Sequence, residues 1–470
     1  MQRKFLSMAA LAICLGFISC SDDDELPYSE AQVTNTELRE ILQKQGIQFD
    51  ETGHMLLDDK VQNLTKLDLT GTKFTDFKSL TILPNLNELD LSDNDFGPTF
   101  DFSVLPTQIT GVDLTGNEIY DFENLVKVEV AENGDENISN LHKVTKLHLP
   151  HTLYDNFDDL VRFYVNNKEA ITNGTIEMKI EDKNGALQPY TTLREVPDEK
   201  LRTYLQTNFS NLFNENNIDL SKHLGLEQQT AVILIQEKDG VTNFDGIQYI
   251  IQNPYWEGSA IALYSNTEKG AYMPSVKLNK NVTTLVLNKL NMENVDLSDA
   301  KGLYNVHVGA VSGIKSLDLT NTIWGQREEE VEADEAKGSY LIVYDCPNLK
   351  EIALPKKQEL KTCYLDLECL DALEKIDMSD VKMVMNLTFG NLPKSFKINY
   401  PELTVFNSSR RFGTYFSCSE STFNRQETLD FLDKNFTKKP NGVDKLGFST
   451  FVSSKNNEGF DWRKALKKKK

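Results

Sequence analysis

The strongest constraint on this chain is an apolar pattern, L-x-x-L-x-L, that recurs at nearly constant phase between Val61 and Leu125. It reads Leu64/Leu67/Leu69, then Leu86/Leu89/Leu91, then Ile109/Val112/Leu114, with starts 22 and 23 residues apart. Asn94 with Phe96 and Asn117 with Ile119 follow the second and third copies, whereas Thr72 with Phe74 follows the first. Each L-x-L predicts a short strand whose leucines point inward. Each asparagine predicts a side chain that ties off the backbone of the turn behind it. A unit this small exposes its apolar face when alone, so the units must stack. The pattern therefore predicts a solenoid of strand-and-turn units that displays the x positions together on one face.

At 470 residues the chain can support two or three domains with large cores. Hydrophobic residues at 39% and charged residues at 26% give the balance of a soluble globular protein rather than a disordered one. The net charge of −21 bears on the class of partner. Nucleic-acid affinity rests on Lys and Arg displacing counterions from phosphate, so this charge argues against it. A neutral, cationic or cation-bridged partner is easier to accommodate.

The first residues read as an address. Arg3 and Lys4 form a basic segment, and Phe5 to Ile18 is apolar but too short to remain as a membrane-spanning helix. Phe17-Ile18-Ser19-Cys20 resembles the lipobox of bacterial lipoproteins. The resemblance implies cleavage before Cys20 and acylation of that residue, and several acyl chains on one residue anchor firmly where one is marginal. An ordinary secretory signal with an incidental cysteine is the alternative. The following Ser21-Asp22-Asp23-Asp24-Glu25 resembles the signal that exports Bacteroidetes lipoproteins to the outer face of the outer membrane. It also serves as a solvated tether.

Thr36 is placed to cap a short helix, TELREILQKQG, with Leu38, Ile41 and Leu42 on one face and Gly46 past its end. The repeats then continue to Val144/Leu147/Leu149 after an insertion. Phe157 to Val165 has helical periodicity, and the stretch from Thr175 alternates as a strand does. At Glu195 the chain begins again: Leu201-Arg202 and Leu205 stand as Leu38-Arg39 and Leu42 stood, and Val241 to Ile247 echoes Phe74 to Leu80. This reads as an internal duplication, against chance similarity between amphipathic segments. From about Val276 to Phe406 a second, more degenerate array follows, with strands expected at Leu285, Leu303, Ile314, Leu341, Asn348, Leu360, Leu373 and Ser395. Many of these starts lie near half a repeat apart, which predicts a strand-rich array whose return segments are also extended.

Taken together, these features resemble the bacterial cell-surface leucine-rich-repeat proteins, both internalin-like proteins and the repeat lipoproteins of gut Bacteroidetes. The resemblance implies an α/β solenoid of two leucine-rich-repeat arrays, each with a short helical N-terminal cap. The expected division is a signal peptide over 1–19, an acidic linker over 20–35 and a capped array over 36–152. A connecting segment over 153–194, a second capped array over 195–410 and a C-terminal cap and tail over 411–470 complete it. The family implies a non-enzymatic binding or adhesion protein, anchored to the membrane through its N-terminal lipid alone and exposed on the cell surface. Its partner would be a protein or a glycan and not nucleic acid, and no cofactor is implied. The alternative is a glycan-capture accessory lipoprotein of a nutrient-uptake system.

Few residues carry chemistry. The x positions of the first array are expected to face the concave side, where solenoids bind, and align Asp68, Asp90 and Asp113 there as a candidate binding face, extended by His148 and flanked by Lys66, Glu88, Asp93 and Lys146. Carboxylates one strand apart, roughly 5 Å, repel one another. A cation or basic partner would relieve that, as would bonds to neighbouring Thr and Ser. Asp318 and Asp377, with His307, occupy comparable places in the second array. Tyr255 and Trp256 could stack on a sugar ring or close a core. His142, His148 and His151 lie close in sequence, but neither they nor FNENNIDL from Phe213 has metal-ligand spacing, and no metal site is expected. The acidic run from Glu328 to Glu335 reads as a solvated loop. Cys346, Cys363, Cys369 and Cys418 fit no zinc or dense disulfide spacing, so buried free thiols are favoured over a disulfide. No nucleophile elbow, P-loop or dinucleotide fingerprint is present, and no catalytic residue is assigned.

Replacement of Cys20 by alanine should leave the protein unlipidated and in the aqueous phase of a detergent partition. Retention of the Cys20→Ala protein in the membrane fraction would rule out that residue as the anchor.

Overall fold

Each L-x-L forms a strand of three residues with one buried apolar side chain at its centre: Leu67 in Lys66–Asp68, Leu89 in Glu88–Asp90 and Val112 in Gly111–Asp113. The computed structural model describes residues 28–453 and residue 467, with 120, 132–135, 152–158, 183, 223, 225–230, 254, 328–337, 357–358, 404–414 and 438–448 outside the description. The expected signal, Cys20, its acidic run, the acidic stretch of 328–335 and nearly all of the sequence after 453 thus lie outside the described residues. The three strands pair in parallel, with Leu67 opposite Leu89 and Leu89 opposite Val112. Lys146–Leu149 joins in the same register, and Glu177–Glu181 follows with Met178 opposite Leu147. Leu187–Pro189 adds an antiparallel edge, completing six strands. The sheet therefore continues to Pro189, into the stretch expected to be a connection, because Met178 carries the buried row one strand further.

The asparagines do what their spacing predicts. Asn117 is almost fully buried; its amide donates to the carbonyls of Leu91 (2.9 Å) and Leu114 (2.8 Å), and its oxygen accepts from Asn94 N and Phe96 N, both at 3.0 Å. Asn94 repeats this one turn earlier, donating to Leu69 O and accepting from Lys73 N. Each side chain thus saturates two neighbouring turns that no strand ladder reaches. Behind them, Phe74, Phe77, Phe96, Phe100, Phe102 and Phe122 form a chain of ring contacts with centroids 5.2 to 6.4 Å apart.

Both helical starts repeat the same device. Helix Thr36–Lys44 buries Leu38, Ile41 and Leu42, but its cap is Asn35, whose side chain accepts from Leu38 N; Thr36 is already inside the helix. Gly46 follows at a φ of 86°. Helix Glu199–Asn208 buries Leu201 and Leu205 and is capped by Asp198. Arg39 donates to Val33 O and Arg202 to Val196 O, each six residues back. Asn35 reaches Asp76, and Asp198 accepts from Thr242 and Asn243, so each cap is tied to the segment the sequence matched to the other's. Part of the expected linker is structured instead: Tyr28–Gln32 pairs with His54–Leu56, and Met55 N donates to Ser29 Oγ.

Beyond the second helix, nine strands pair in parallel and in chain order, from Val232–Ile235 through Ala260–Tyr264, Thr284–Asn288, Asn305–Gly309, Tyr340–Tyr344, Leu360–Glu368, Val381–Gly390 and Tyr415–Ser419 to Ser449–Ser453. The return segments are extended too, forming a four-stranded parallel sheet of Ser316–Asp318, Glu351–Ala353, Lys375–Asp377 and Lys397–Asn399 beside smaller ones. The chain is therefore mixed α/β, rich in strands, mostly parallel and sparing in helices. One core gathers residues from Val33 to Tyr190 and a larger one those from Val196 to Leu432. Helix Leu160–Asn166 serves both, with Leu160 and Phe163 in the first and Val161 in the second. Cys346, Cys363 and Cys418 are buried, Cys369 is half-buried, and all four are free thiols.

Asn117→Ala should strand two buried N–H groups and two carbonyls and cost about 3 kcal/mol or more. Thr72→Ala, which removes the hydroxyl bond to Leu69 O and the acceptor of the Phe74 N–H, should cost less, about 1 to 2 kcal/mol. Urea midpoints of the two variants against the parent measure the difference.

Candidate functional site

The outward positions of the first sheet do line up. Asp68 stands opposite Asp90, Asp90 opposite Asp113 and Asp113 opposite His148. A second row runs Lys66, Glu88, Gly111, Lys146 and Glu177. Bare carboxylates in such a row would repel, but these are matched from within. Lys66 Nζ lies 2.9 Å from Asp90 and Lys146 Nζ 3.2 Å from Glu88. Ser92 and Thr115 hydroxyls donate at 2.7 Å to Asp90 and Asp113, and Thr70 N donates to Asp68. Hydrogen bonding to neighbouring Ser and Thr, with lysines from the adjoining row, is how the protein relieves the row.

His148 is its centre. The ring is nearly buried, with Nδ1 2.9 Å from Asp113 Oδ2 and Nε2 2.5 Å from Glu177 Oε1. The bond to Asp113 raises its pKa above 6.5; burial opposes this and the Glu177 bond adds to it. Burial pushes Asp113 up, but the bonds from His148 and Thr115 outweigh it and hold that carboxyl near 2. An imidazole ring clamped between carboxylates on two flanking strands closes this row rather than opening it to a ligand. Only Asp68 of the four predicted residues is exposed.

The histidines do not converge. His142 is buried and its pKa lowered by burial, while His151 is exposed. Among the described residues no three His, Cys, Asp or Glu side chains are grouped to hold a metal ion.

Tyr255 and Trp256 are not the exposed pair the sequence permits. Trp256 is fully buried, packed so tightly that a Cβ on Gly258 would lie 2.0 Å from its ring. Tyr255 is half-buried, and its hydroxyl donates to Glu136 at 2.7 Å. Arg162 pairs with the same carboxylate at 2.6 Å and donates to the Tyr255 oxygen at 3.3 Å. The Tyr255 hydroxyl thus ties the second core to the first, and the buried Trp256 offers no ring to a sugar.

The surface that sequence reasoning missed is the outward side of the long sheet. Seven strands share one five-residue frame, from Ala260–Tyr264 to Tyr415–Ser419, with two inward and three outward positions each. None of the outward positions is fully exposed. They include five tyrosines, no lysine or arginine, and only two carboxylates, Asp366 and Glu368. Tyr344 lies across Gly309, where a Cβ would approach its ring to 2.3 Å, and its hydroxyl accepts from Asn288 at 2.6 Å. Its ring sits 5.5 Å from that of His307. Tyr340 and Tyr364 stack at 5.0 Å. In the middle row His307 stands opposite Ile342, and Ile342 opposite Asp366. His307 Nε2 and Asp366 Oδ1 are hidden from solvent with no hydrogen-bond partner among the described residues. Burial, and then Glu368, pushes the Asp366 carboxyl up to about 6; burial lowers His307. Asp318 and Asp377 belong to the four-stranded sheet, not to the row of His307.

A cleft of about 320 Å³ opens between the two parts, lined by Thr99, Asp121, Lys277, Asp296, Ser298 and Asp318 among others. Lys277 Nζ, 3.0 Å from Asp299 and 4.0 Å from Asp121, already supplies its cation.

The His148 clamp makes stability depend on pH from both sides. Because the folded pKa of His148 lies above 6.5, its contribution is complete below that value and lost as pH rises through the folded pKa. Because Asp113 is held near 2 against 3.8 when unfolded, its contribution is complete above 3.8 and lost as pH falls towards 2. Denaturant midpoints should therefore be highest between these limits, and His148→Gln should flatten the alkaline limb. No family model, curated protein or solved structure matches the chain.

Proposed function

We propose that this chain is a leucine-rich-repeat lipoprotein of two capped arrays, held on the outer-membrane surface by an acylated Cys20 and binding a partner through its sheet faces. The lipobox-like Phe17 to Cys20 supports the anchor, and the constant parallel register with its Asn94 and Asn117 ties supports the repeats. The observation that carries binding is the outward side of the long sheet: broad, rich in tyrosine and amide, and nearly free of charge. Tyrosine supplies contact area at low entropic cost, and strands supply a platform that need not be ordered on binding. The partner is a protein or a glycan and the binding is non-enzymatic.

The reading as a glycan-capture component of an uptake system no longer rests on Tyr255 and Trp256. The tyrosines of the long sheet favour it instead. A hydrolase is the third reading, since Asp366 with its raised pKa stands two residues from Glu368 on one face. That pair sits on the broad sheet and not in the cleft, so binding is preferred; release of reducing ends from oligosaccharides, abolished by Glu368→Gln, would reverse the order.

Cells lacking the gene should adhere less than the parent to immobilised host proteins, mucins or glycans. Equal adherence across such a panel sinks the proposal.

A further inference from the structure

Resting on the binding reading above, the geometry points to the outward face of the long sheet, centred on His307, Ile342 and Asp366, as a site for an uncharged oligosaccharide lying across the strands. Charge selects first. Across seven strands the outward positions hold no cationic side chain and two carboxylates, so a sulfated or uronic-acid polymer meets only repulsion. A strongly cationic partner gains little, because burial disfavours the charged form of Asp366.

Hydrogen bonding selects next. His307 Nε2 and Asp366 Oδ1 are hidden and without partners among the described residues, two strands apart on one row. Groups in that state gain most from a ligand that reaches them. A sugar hydroxyl both donates and accepts, so it suits either tautomer of the imidazole and either protonation state of the carboxyl. Reaching His307 requires Tyr344 to turn aside, and that movement also releases the Asn288 amide for the ligand.

Shape selects third. Tyr264 and Tyr344 flank the middle row on one side and the stacked Tyr340 and Tyr364 on the other, placing aromatic rings where the apolar faces of pyranoses pack. The strands repeat at roughly 5 Å, close to the length of one sugar unit. A polymer with that repeat can present one ring per strand over Val286, His307, Ile342, Asp366 and Thr388, which stand in unbroken register.

The test is calorimetric titration of the full-length chain in detergent with cellohexaose, xylohexaose, laminarihexaose, mannohexaose and maltohexaose. Hexagalacturonate and a heparin hexasaccharide serve as charged probes. At least one uncharged hexamer should bind and neither charged one should. His307→Ala and Thr388→Trp should each weaken binding about tenfold or more. Asp68→Asn on the first sheet should change nothing, and thermal melts of each variant report folding. Should His307→Ala fail to fold, Thr388→Trp decides, since an aromatic residue at a half-exposed strand position suits the sheet. Silence from every uncharged hexamer, equal binding of a charged one, or indifference to Thr388→Trp would overturn the inference. Silent titrations beside an adherence defect in the deletion strain would overturn the oligosaccharide and leave the broader binding reading standing.

Discussion

A strand of three residues with one buried leucine cannot hold itself together, and the whole chain depends on how its neighbours repair that. The L-x-L strands receive their hydrogen bonds from neighbouring strands, and their turns receive them from Asn94 and Asn117. Neither source exists for an isolated unit, so stability is shared along the stack. The helices at Thr36–Lys44 and Glu199–Asn208 begin the two cores, and in each an arginine is bonded to a carbonyl six residues back.

The same need for closure decides where binding chemistry can reside. On the first sheet, lysines, hydroxyls and His148 engage nearly every carboxylate of the aligned row. At the junction of the cores, Glu136, Arg162 and Tyr255 engage one another. A charged side chain already paired gives little to a ligand, because binding must first break the existing bonds. The long sheet differs: two hidden polar atoms on its outward face have no partner among the described residues, and tyrosines flank the row that holds them. The excess of acid in the chain thus bears less on recognition than its total suggests.

Where the repeat keeps its period, the sequence alone determined strand positions, register and the facing rows. A constant spacing of apolar residues leaves one way to stack them, so Asp68, Asp90 and Asp113 fall in line and the asparagines reach the turns. The later strands were legible where leucines survive, as in Leu360–Glu368 and Lys375–Asp377. Val232–Ile235, Ala260–Tyr264 and the ten-residue Val381–Gly390 were not anticipated, because their alternation carries no leucine spacing. The likeness of the two helical starts was readable too, since Leu and Arg recur at the same offsets. Tertiary structure alone decided what each polar or aromatic side chain meets: that Trp256 is core, that Tyr255 answers Glu136, that His148 is clamped, and that His307 and Asp366 share a row. Those pairings join residues dozens of positions apart, and the local periodicity that fixes strands holds no term for such distances.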